Sequence, residues 1–220
     1  MPAVKGGNYR GVSASEREGE RRRRLLSAGL EVIGAQGWAE ATVRAICREA
    51  GLSSRFFYES FAGVEELAVA LFDDIFQQAT ARVIEAVEAT TPDPRVRMRV
   101  AIETFVGGLT DDRRVARFVF MEALGSEMLV RRRTAAIQVV ARAALRQIGA
   151  HGPAGVSETY REVAATVLVG GLAEVLISWM HGEVDADLAE VVEHYVQLVA
   201  SVGDATYRNT RSRPSAGAPS

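Results

Sequence analysis

The chain has 220 residues, a formal net charge of −2, 48% hydrophobic and 25% charged residues. This length and composition are those of an ordinary globular protein with a proper core, which argues against a disordered chain. The N-terminus has no hydrophobic stretch that could serve as a secretory signal, and no uninterrupted apolar run reaches the roughly 18 residues that span a bilayer. We therefore expect a cytoplasmic protein without a membrane partner.

Positive charge is concentrated near the N-terminus. Residues 1–60 contain ten basic and seven acidic side chains, a local net charge of +3, whereas the rest of the chain has 16 basic and 21 acidic ones, a net charge of −5. This asymmetry is expected when a basic module is joined to a neutral or acidic one. Any case for a nucleic-acid partner therefore depends on the N-terminal region.

The cysteine and histidine residues favour neither a disulfide nor a metal centre. Cys47 is the only cysteine, and the three histidines are scattered without the spacing of metal ligands. A single thiol cannot form an intramolecular disulfide, which fits a reducing compartment. We expect no metal site and no cofactor.

The first helix is predicted to follow a polar tail. Residues 1–14 are Gly-rich and without periodicity, which predicts a flexible basic tail. The segment "SERE" at 15–18 matches a capping box, with Ser15 ahead of the helix and Glu18 reaching back to it. An arginine-rich stretch then leads into apolar residues at helical spacing, and Gly37 ends this helix.

Two short amphipathic helices come next. Thr42 is a plausible N-cap for the first, and Gly51 ends it after little more than two turns. Ser53 can cap the second, in which Phe57 and Phe61 lie four residues apart and point to one side. Two such helices joined by a tight turn with a glycine form a helix-turn-helix, which presents its second helix to the major groove of DNA. Taken alone this signal is weak, because helical corners are common.

The rest of the chain is also predicted to be helical. A long helix runs from about residue 63 to the proline-containing "TPDP" at 91–94, where proline stops it. Helical periodicity continues beyond it, and no strand pattern occurs. The sequence predicts an all-α protein with a helix-turn-helix DNA-binding domain at 15–62, a helical effector-binding and dimerisation domain at 63–204, and a disordered tail at 205–220.

The stretch "RRLLSAGLEVIGAQGWAEATVRAICREAGLSSRFFYESFAGVEEL" resembles the N-terminal domain of the TetR family of transcriptional repressors. That family has a helix ending in Gly-aromatic, then a threonine, an "IA…AG(V/L)S" segment, a Tyr and a Phe. The counterparts in this chain are Gly37, Trp38, Thr42, Ile46, Cys47, Ala50, Gly51, Leu52, Ser53, Tyr58 and Phe61. In one departure, Val64 stands where the family usually has a lysine that meets a DNA phosphate.

The resemblance implies an architecture and a function. The architecture is an N-terminal three-helix helix-turn-helix domain joined by a long helix to a C-terminal helical ligand-binding and dimerisation domain. The function is that of a ligand-responsive transcriptional regulator, a repressor, that binds a double-stranded DNA operator and is released by a small lipophilic effector. As a homodimer it would place two recognition helices about 34–36 Å apart, so the operator should be an inverted repeat.

The DNA-contact candidates cluster on the two short helices. Arg55 can bind O6 and N7 of guanine through two hydrogen bonds, worth roughly 1–3 kcal/mol of discrimination. Tyr58 matches the family tyrosine that bonds a phosphate. Arg44 could contact DNA or serve solubility, and Phe56 could touch a thymine methyl or pack at the rim; the run "RRRR" at 21–24 could follow the DNA backbone or be a solvated face. The full set is Thr42, Arg44, Ser53, Ser54, Arg55, Phe56, Tyr58 and Ser60.

Candidates for effector binding and dimerisation lie in the second half. Effector pockets are apolar with few polar anchors, and the side chains that could line one are equally suited to an ordinary core. These are Met98, Ile102, Phe105, Phe118, Met121 and Trp179. Two adjacent glycines inside an apolar helix suggest close approach of another helix, and the resemblance implies that this neighbour includes the partner subunit. The interface candidates are Gly170, Gly171, Val175 and His194.

Two other classes of protein compete with the regulator. A helical-bundle enzyme would need a catalytic set, and the sequence contains no Ser/His/Asp or Cys/His set, no phosphate-binding Gly loop and no metal-binding cluster. We therefore expect a chain that is not an enzyme. A protein-binding adaptor without sequence-specific DNA binding would explain the helical body but not the basic, arginine-bearing corner.

Overall fold

The computed structural model describes residues 14–151 and 156–211, and within these ranges the chain is helical without strands. A π-helical segment, Glu31–Gln36, continues the first helix, and 3-10 turns lie at Trp38–Glu40 and Glu122–Gly125. The all-α prediction is thus confirmed. The α-helices are α1 (Ala14–Leu30), α2 (Val43–Ala50), α3 (Ser54–Ser60), α4 (Val64–Glu88), α5 (Pro94–Thr110), α6 (Arg113–Phe120), α7 (Glu127–His151), α8 (Glu158–Met180) and α9 (Leu188–Arg211).

Several helix ends lie where local sequence signals predicted them. Gly37 has φ 102° and follows the π-helical segment, and Gly51 has φ 61° and ends α2. Both are conformations that a residue with a Cβ rarely adopts. Thr42 is the N-cap of α2, since its Oγ1 accepts a hydrogen bond of 3.1 Å from the N–H of Ala45. These three positions fix the corner between α1 and α3.

The start of α1 differs from the prediction. The helix already includes Ala14 and Ser15, so Ser15 lies inside it rather than ahead of it as a cap. The predicted flexible tail at 1–14 therefore overlaps the helix at its last residue. Residues 1–13 lie outside the described residues.

The end of α9 also differs from the prediction. The helix continues to Arg211, so the boundary proposed at 204 falls inside it and the predicted tail at 205–220 is helical in its first part. A side-chain contact joins this region to α5, where Arg95 pairs with Asp204 at 2.7 Å. Composition alone does not reveal such a contact. Residues 212–220 lie outside the described residues.

The buried side chains form two clusters. The first, which we call the N-terminal core, joins α1, α2 and α3 to the first turn of α4 and includes the buried thiol of Cys47. The second, the body core, is built from α4 to α9 with the π-helical segment. On α4 the change occurs between Leu67, in the N-terminal core, and Ala68, in the body core. The fold is therefore a helix-turn-helix unit joined through a long helix to a larger helical body.

A polar contact joins these two parts at the 3-10 turn after α6. Glu122 Oε2 accepts a hydrogen bond of 2.8 Å from the backbone N–H of Trp38. Glu122 Oε1 accepts one of 2.9 Å from Arg117 Nε, and Arg117 Nη1 also donates to the carbonyl of Ala35 at 3.0 Å. The body therefore binds the backbone at the end of the first helix directly.

The same junction includes a close backbone approach. A Cβ on Gly34 would lie 2.5 Å from the carbonyl oxygen of Arg114, so only glycine fits there. The Arg114 side chain pairs with Glu31 at 2.7 Å and with Asp112 at 2.6 Å. We call this contact between α6 and the Glu31–Trp38 segment the α6 junction.

Helix α8 is the most apolar long helix of the described chain. By length and composition it could cross a bilayer, although it contains no uninterrupted apolar run of that length, because Glu174 is the one charged residue from 163 to 180. Only 22% of its most apolar window is buried within the chain. Tyr160, Val163 and Val167 are among its exposed side chains. The chain thus leaves an apolar face of α8 uncovered.

Candidate nucleic-acid interface

The recognition helix α3 is fixed to the N-terminal core by two aromatic side chains. Phe57 and Phe61 are buried, and their ring centroids lie 5.9 Å apart. This is the four-residue spacing that the sequence predicted to face the core. Because these two rings fix the rotation of α3 about its axis, they also determine which side chains face solvent.

The solvent side of α3 presents the two strongest DNA-contact candidates. The Arg55 side chain is 85% exposed, and Tyr58 is 61% exposed. Arg55 Nε lies 3.1 Å from Glu59 Oε1 one helical turn later. An exposed pair of this kind is worth only about 0.3–0.5 kcal/mol, so the guanidinium can exchange it for another partner. Ser54 is exposed on the same short helix.

The remaining polar candidates occupy different environments. Thr42 and Arg44 are exposed at the start of α2. Ser53 holds the N-cap position of α3, but its side chain makes no capping hydrogen bond, so the predicted capping role applies to its position only. Ser60 is half-buried, and its carbonyl oxygen accepts a hydrogen bond of 3.2 Å from Arg22 Nη1.

Phe56 is in contact with an arginine of α1. Its ring is half-buried, and the guanidinium carbon of Arg21 lies 4.7 Å from the ring centroid. This distance is within the range of a cation–π interaction. One face of the ring is therefore occupied by a guanidinium group within the same chain.

Two further arginines of the 21–24 run also contact the helix-turn-helix. Arg22 lies 4.4 Å from the centroid of Phe61 at the end of α3. Arg24 Nη2 donates a hydrogen bond of 2.6 Å to the carbonyl of Ala50, at the C-terminus of α2, where a cation is favoured. Sequence reasoning missed these roles, because the run has the same composition as a solvated face.

The effector candidates occupy several environments in the body. Phe118 is fully buried in the body core, and Met98, Ile102 and Phe105 are partly buried against it. Met121 is half-buried between α6 and the following turn. Trp179 is also half-buried, and its indole N–H donates to the carbonyl of Ala186 at 3.0 Å.

Two clefts lie in the described part of the chain, and none of these six residues lines either of them. One cleft of about 420 Å³ lies between α7 and α8, with Leu145, Val163 and Val167 among its walls. Another of about 410 Å³ lies between α1, α2 and α6 and is polar, with Arg24 and Glu49 in its wall. Across residues 14–151 and 156–211, no group of three His, Cys, Asp or Glu side chains is arranged to hold a metal ion.

The dimer-interface candidates lie on the outside of α8 and α9. A Cβ on Gly170 or Gly171 would meet no atom within 4 Å in the described part of the chain. Val175 is exposed, as is His194, whose Nε2 lies 3.6 Å from a carboxylate oxygen of Glu190. The two glycines therefore approach no other described helix of their own chain.

A comparison with known families agrees with this geometry. Residues 25–71, which run from α1 into the first part of α4, match the family described as "Bacterial regulatory proteins, tetR family". Residues 25–71 thus form a domain of the TetR-family type. The resemblance to that family is thus confirmed over this domain, and a match to a family of regulatory proteins supports the expectation that the chain is not an enzyme.

Individual relatives of this chain were found by sequence and by structure. The HTH-type transcriptional activator FasR of Mycolicibacterium smegmatis is 33% identical over 115 residues, which are 52% of this chain and 51% of FasR. The match thus spans about half the length of that curated relative.

Two solved structures share the fold of this chain. The fatty acid degradation regulator FadR from Bacillus halodurans aligns with a TM-score of 0.69 at 17% identity, over 81% of this chain and 94% of FadR. FadR from Bacillus subtilis, solved in complex with stearoyl-CoA, aligns with a TM-score of 0.67 at 18% identity, over 81% of this chain and 97% of that FadR.

Proposed function

We propose that this chain regulates transcription by binding an inverted-repeat operator in double-stranded DNA, and that it acts in the cytoplasm. The observation that carries the proposal is the orientation of α3, whose buried Phe57 and Phe61 leave Arg55 and Tyr58 facing solvent. An exposed guanidinium at the start of a short helix can reach guanine O6 and N7 in the major groove. The tyrosine hydroxyl can donate to a phosphate oxygen.

The other polar candidates would support these contacts. Arg44 is exposed on α2 and can donate to a base edge or a phosphate. The backbone amides at the start of α2 can hold a phosphate at the Thr42 cap, where the helix dipole favours negative charge. Ser53, Ser54 and Ser60 can donate hydroxyl protons to the DNA backbone.

The proposed active species is a homodimer that associates through α8 and α9. The uncovered apolar face of α8 needs a covering surface, and the same face of a second copy provides one in a two-fold interface. Gly170 and Gly171 would allow the partner helix to approach closely, with Val175 and His194 beside them. Two-fold symmetry would then place two α3 helices about 34–36 Å apart on the duplex.

We further propose a lipophilic effector that carries a long acyl chain. FadR from Bacillus subtilis was solved with stearoyl-CoA, and Met98, Ile102 and Phe105 form a partly buried apolar row on α5 that could admit such a chain. Phe118, Met121 and Trp179 would supply further apolar contacts. An effector that binds a conformer with a different α3 separation lowers operator affinity by the ratio of its affinities for the two conformers.

The effector proposal has a direct test. Stearoyl-CoA should raise the midpoint of thermal unfolding, because a ligand that binds only the folded state stabilises it, whereas free coenzyme A should not. It should also release the chain from a bound duplex. Equal shifts with stearoyl-CoA and coenzyme A would refute the acyl-chain proposal.

The proposed regulatory sign is repression, and FasR, described as a transcriptional activator, makes activation a specific alternative. The sign depends on where the operator lies relative to the promoter, since a site overlapping the promoter excludes polymerase. In vitro transcription from templates that carry the chain's own upstream DNA would decide between them. A lower transcript level with the chain present supports repression, and a higher one supports activation.

The DNA-binding proposal is tested by selecting duplexes from a random pool and measuring their affinity. The wild-type chain should enrich an inverted repeat, and Arg55→Gln should relax specificity at one base pair of each half-site by about 1–3 kcal/mol. Arg131→Gln is the matched control, because Arg131 forms the same type of exposed pair one helical turn from its partner Glu127, on α7. A wild-type chain that binds a selected and a shuffled duplex equally would overturn the proposal.

A further inference from the structure

We propose that Arg21 contacts a DNA phosphate beside the recognition helix, and that Phe56 is the platform that holds Arg21 in place rather than a reader of bases. The inference rests on the proposed DNA-binding function and adds to it a contact from α1. It also assigns a role to the aromatic residue at the exposed start of α3.

The partners of the four consecutive arginines distinguish Arg21 from its neighbours. Arg23 Nη2 pairs with Glu20 Oε2 at 2.6 Å, and Arg22 and Arg24 donate to backbone carbonyls of the helix-turn-helix. The contact of Arg21 is with the Phe56 ring, and no carboxylate of the described residues lies within ion-pair distance of its guanidinium. Arg21 is therefore a half-exposed cation whose N–H donors face no acidic partner.

The chemistry of this contact leaves Arg21 free to bind an anion. A guanidinium has five N–H donors in its plane, whereas the attraction of an aromatic ring acts on the charge as a whole and uses no lone pair. A group held over a ring therefore keeps donors that can form paired hydrogen bonds to phosphate oxygens. Because the ring already restricts the side chain, binding costs less rotamer entropy than for a free arginine.

The position of Phe56 brings Arg21 to the surface that α3 presents. Phe56 follows Arg55 directly and precedes Tyr58 by two residues, and both of those side chains are exposed. A helix that enters the major groove is flanked by phosphodiester strands, so a cation beside its first turn lies near phosphates. Such a contact carries no base information and should strengthen binding to every sequence alike.

The experiment is a double-mutant cycle with Arg21→Gln, Phe56→Leu and the double variant. Leucine keeps an apolar side chain at position 56 and removes the aromatic face. Affinity is measured at several salt concentrations for a duplex selected by the wild-type chain and for a shuffled duplex of equal length. The matched control is Arg23→Gln, which removes the same charge from the same helix at an exposed residue paired with Glu20.

We expect Arg21→Gln to weaken binding to both duplexes by about fivefold to tenfold for each bound subunit. It should reduce the slope of log K against log salt by about one for each subunit, which is the signature of one lost phosphate contact. Phe56→Leu should weaken binding without changing base preference, and should have little effect once Arg21 is replaced. Arg23→Gln should stay close to wild type in slope.

Four outcomes would overturn the inference. In the first, Arg21→Gln and Arg23→Gln have equal effects, so only the net charge matters. In the second, Phe56→Leu changes the preference at an A·T base pair equally in both backgrounds, as expected if the ring reads a thymine methyl. In the third, the wild-type chain itself prefers no sequence, which contradicts the proposed function as well. In the fourth, the wild-type chain binds selectively and the Arg21→Gln variant has wild-type affinity and salt slope, which contradicts this inference alone. Melting curves for each variant verify that both surface changes leave the fold intact.

Discussion

The backbone N–H of Trp38 donates a hydrogen bond of 2.8 Å to Glu122, which binds the end of the first helix to the helical body. The other carboxylate oxygen of Glu122 accepts from Arg117, and the Glu122 side chain is only 16% exposed. One largely buried carboxylate therefore satisfies a backbone donor of the helix-turn-helix unit and a guanidinium of α6. The body can influence the orientation of α1 through this contact as well as through α4.

Replacement of Glu122 by alanine should destabilise the chain by about 1–3 kcal/mol, because it leaves the Trp38 amide and the Arg117 Nε without their acceptor. Urea unfolding followed by circular dichroism measures this change. Glu103→Ala is the control, since Glu103 is exposed and pairs with Arg99 within α5. That control should change stability by less than about 0.5 kcal/mol. Equal losses of stability in the two variants would contradict a stabilising role for the Glu122 contact.

Gly34→Ala should destabilise the chain, because its methyl group would lie 2.5 Å from the carbonyl oxygen of Arg114 and the backbone would have to move. The expected loss is about 1–3 kcal/mol, as for other overpacked sites, and thermal unfolding measures it. In Gly19→Ala, on the same helix, the nearest atom to the new Cβ is 3.7 Å away at Arg23. That control should gain up to about 1 kcal/mol from helix propensity. A stabilised Gly34→Ala variant would show that the junction is not closely packed.

Gly171→Leu should weaken dimerisation without harming the fold of the single chain. A Cβ at Gly171 meets no atom within 4 Å in the described chain, so leucine should improve the intrinsic stability of α8. At the proposed interface the same side chain would separate the two copies and raise the dimer dissociation constant by about tenfold or more. Sedimentation velocity over a range of concentrations measures it. Ala81→Leu, on the exposed side of α4, is the control and should leave the dimer dissociation constant unchanged. An unchanged dissociation constant in Gly171→Leu would show that the interface lies elsewhere.

The contact between α5 and α9 should depend on pH in the acid range. Hydrogen bonds from Arg99 lower the pKa of Glu193 from its ordinary 4.5 to about 2. A carboxylate whose pKa is lower in the folded state stabilises the fold fully above pH 4.5, and this contribution is lost as the pH falls towards 2. The stability difference between wild type and Glu193→Gln should therefore narrow between pH 4.5 and 2. An NMR titration of the Glu193 carboxyl group with a midpoint near 4.5 would contradict this.

The helix-turn-helix was predictable from the sequence because its signals are local. Thr42 caps a helix that starts at the next residue, and Gly51 ends it by a backbone conformation that other residues avoid. The spacing of Phe57 and Phe61 fixed the buried side of α3, and so the exposure of Arg55 followed from periodicity alone.

The long-range contacts were not predictable, since they depend on how distant segments pack. Trp38 and Glu122 are 84 residues apart, and Arg24 lies 26 residues from the carbonyl that it binds. No sequence spacing indicates such pairs. The run 21–24 is an example, because it has the composition of a solvated face although three of its four side chains contact the helix-turn-helix.

The effector and dimer candidates show another limit of periodicity. Helical spacing indicates that Phe118 and Met98 face inwards, but it does not distinguish a filled core from a cavity, because that depends on the separation of helices. For the exposed face of α8 we proposed a cover from a second molecule, which periodicity within one chain cannot indicate. These assignments stay predictions.

Cys47 is 7% exposed within the N-terminal core, and burial raises the pKa of its thiol. Since it is the only sulfhydryl in the chain, a thiol-reactive reagent has a single target, and it can reach that target only when the helix-turn-helix opens. The labelling rate of the wild-type protein therefore measures how often the helix-turn-helix opens, without an introduced probe. An operator that keeps the helix-turn-helix closed would lower the rate at which the Cys47 thiol is labelled.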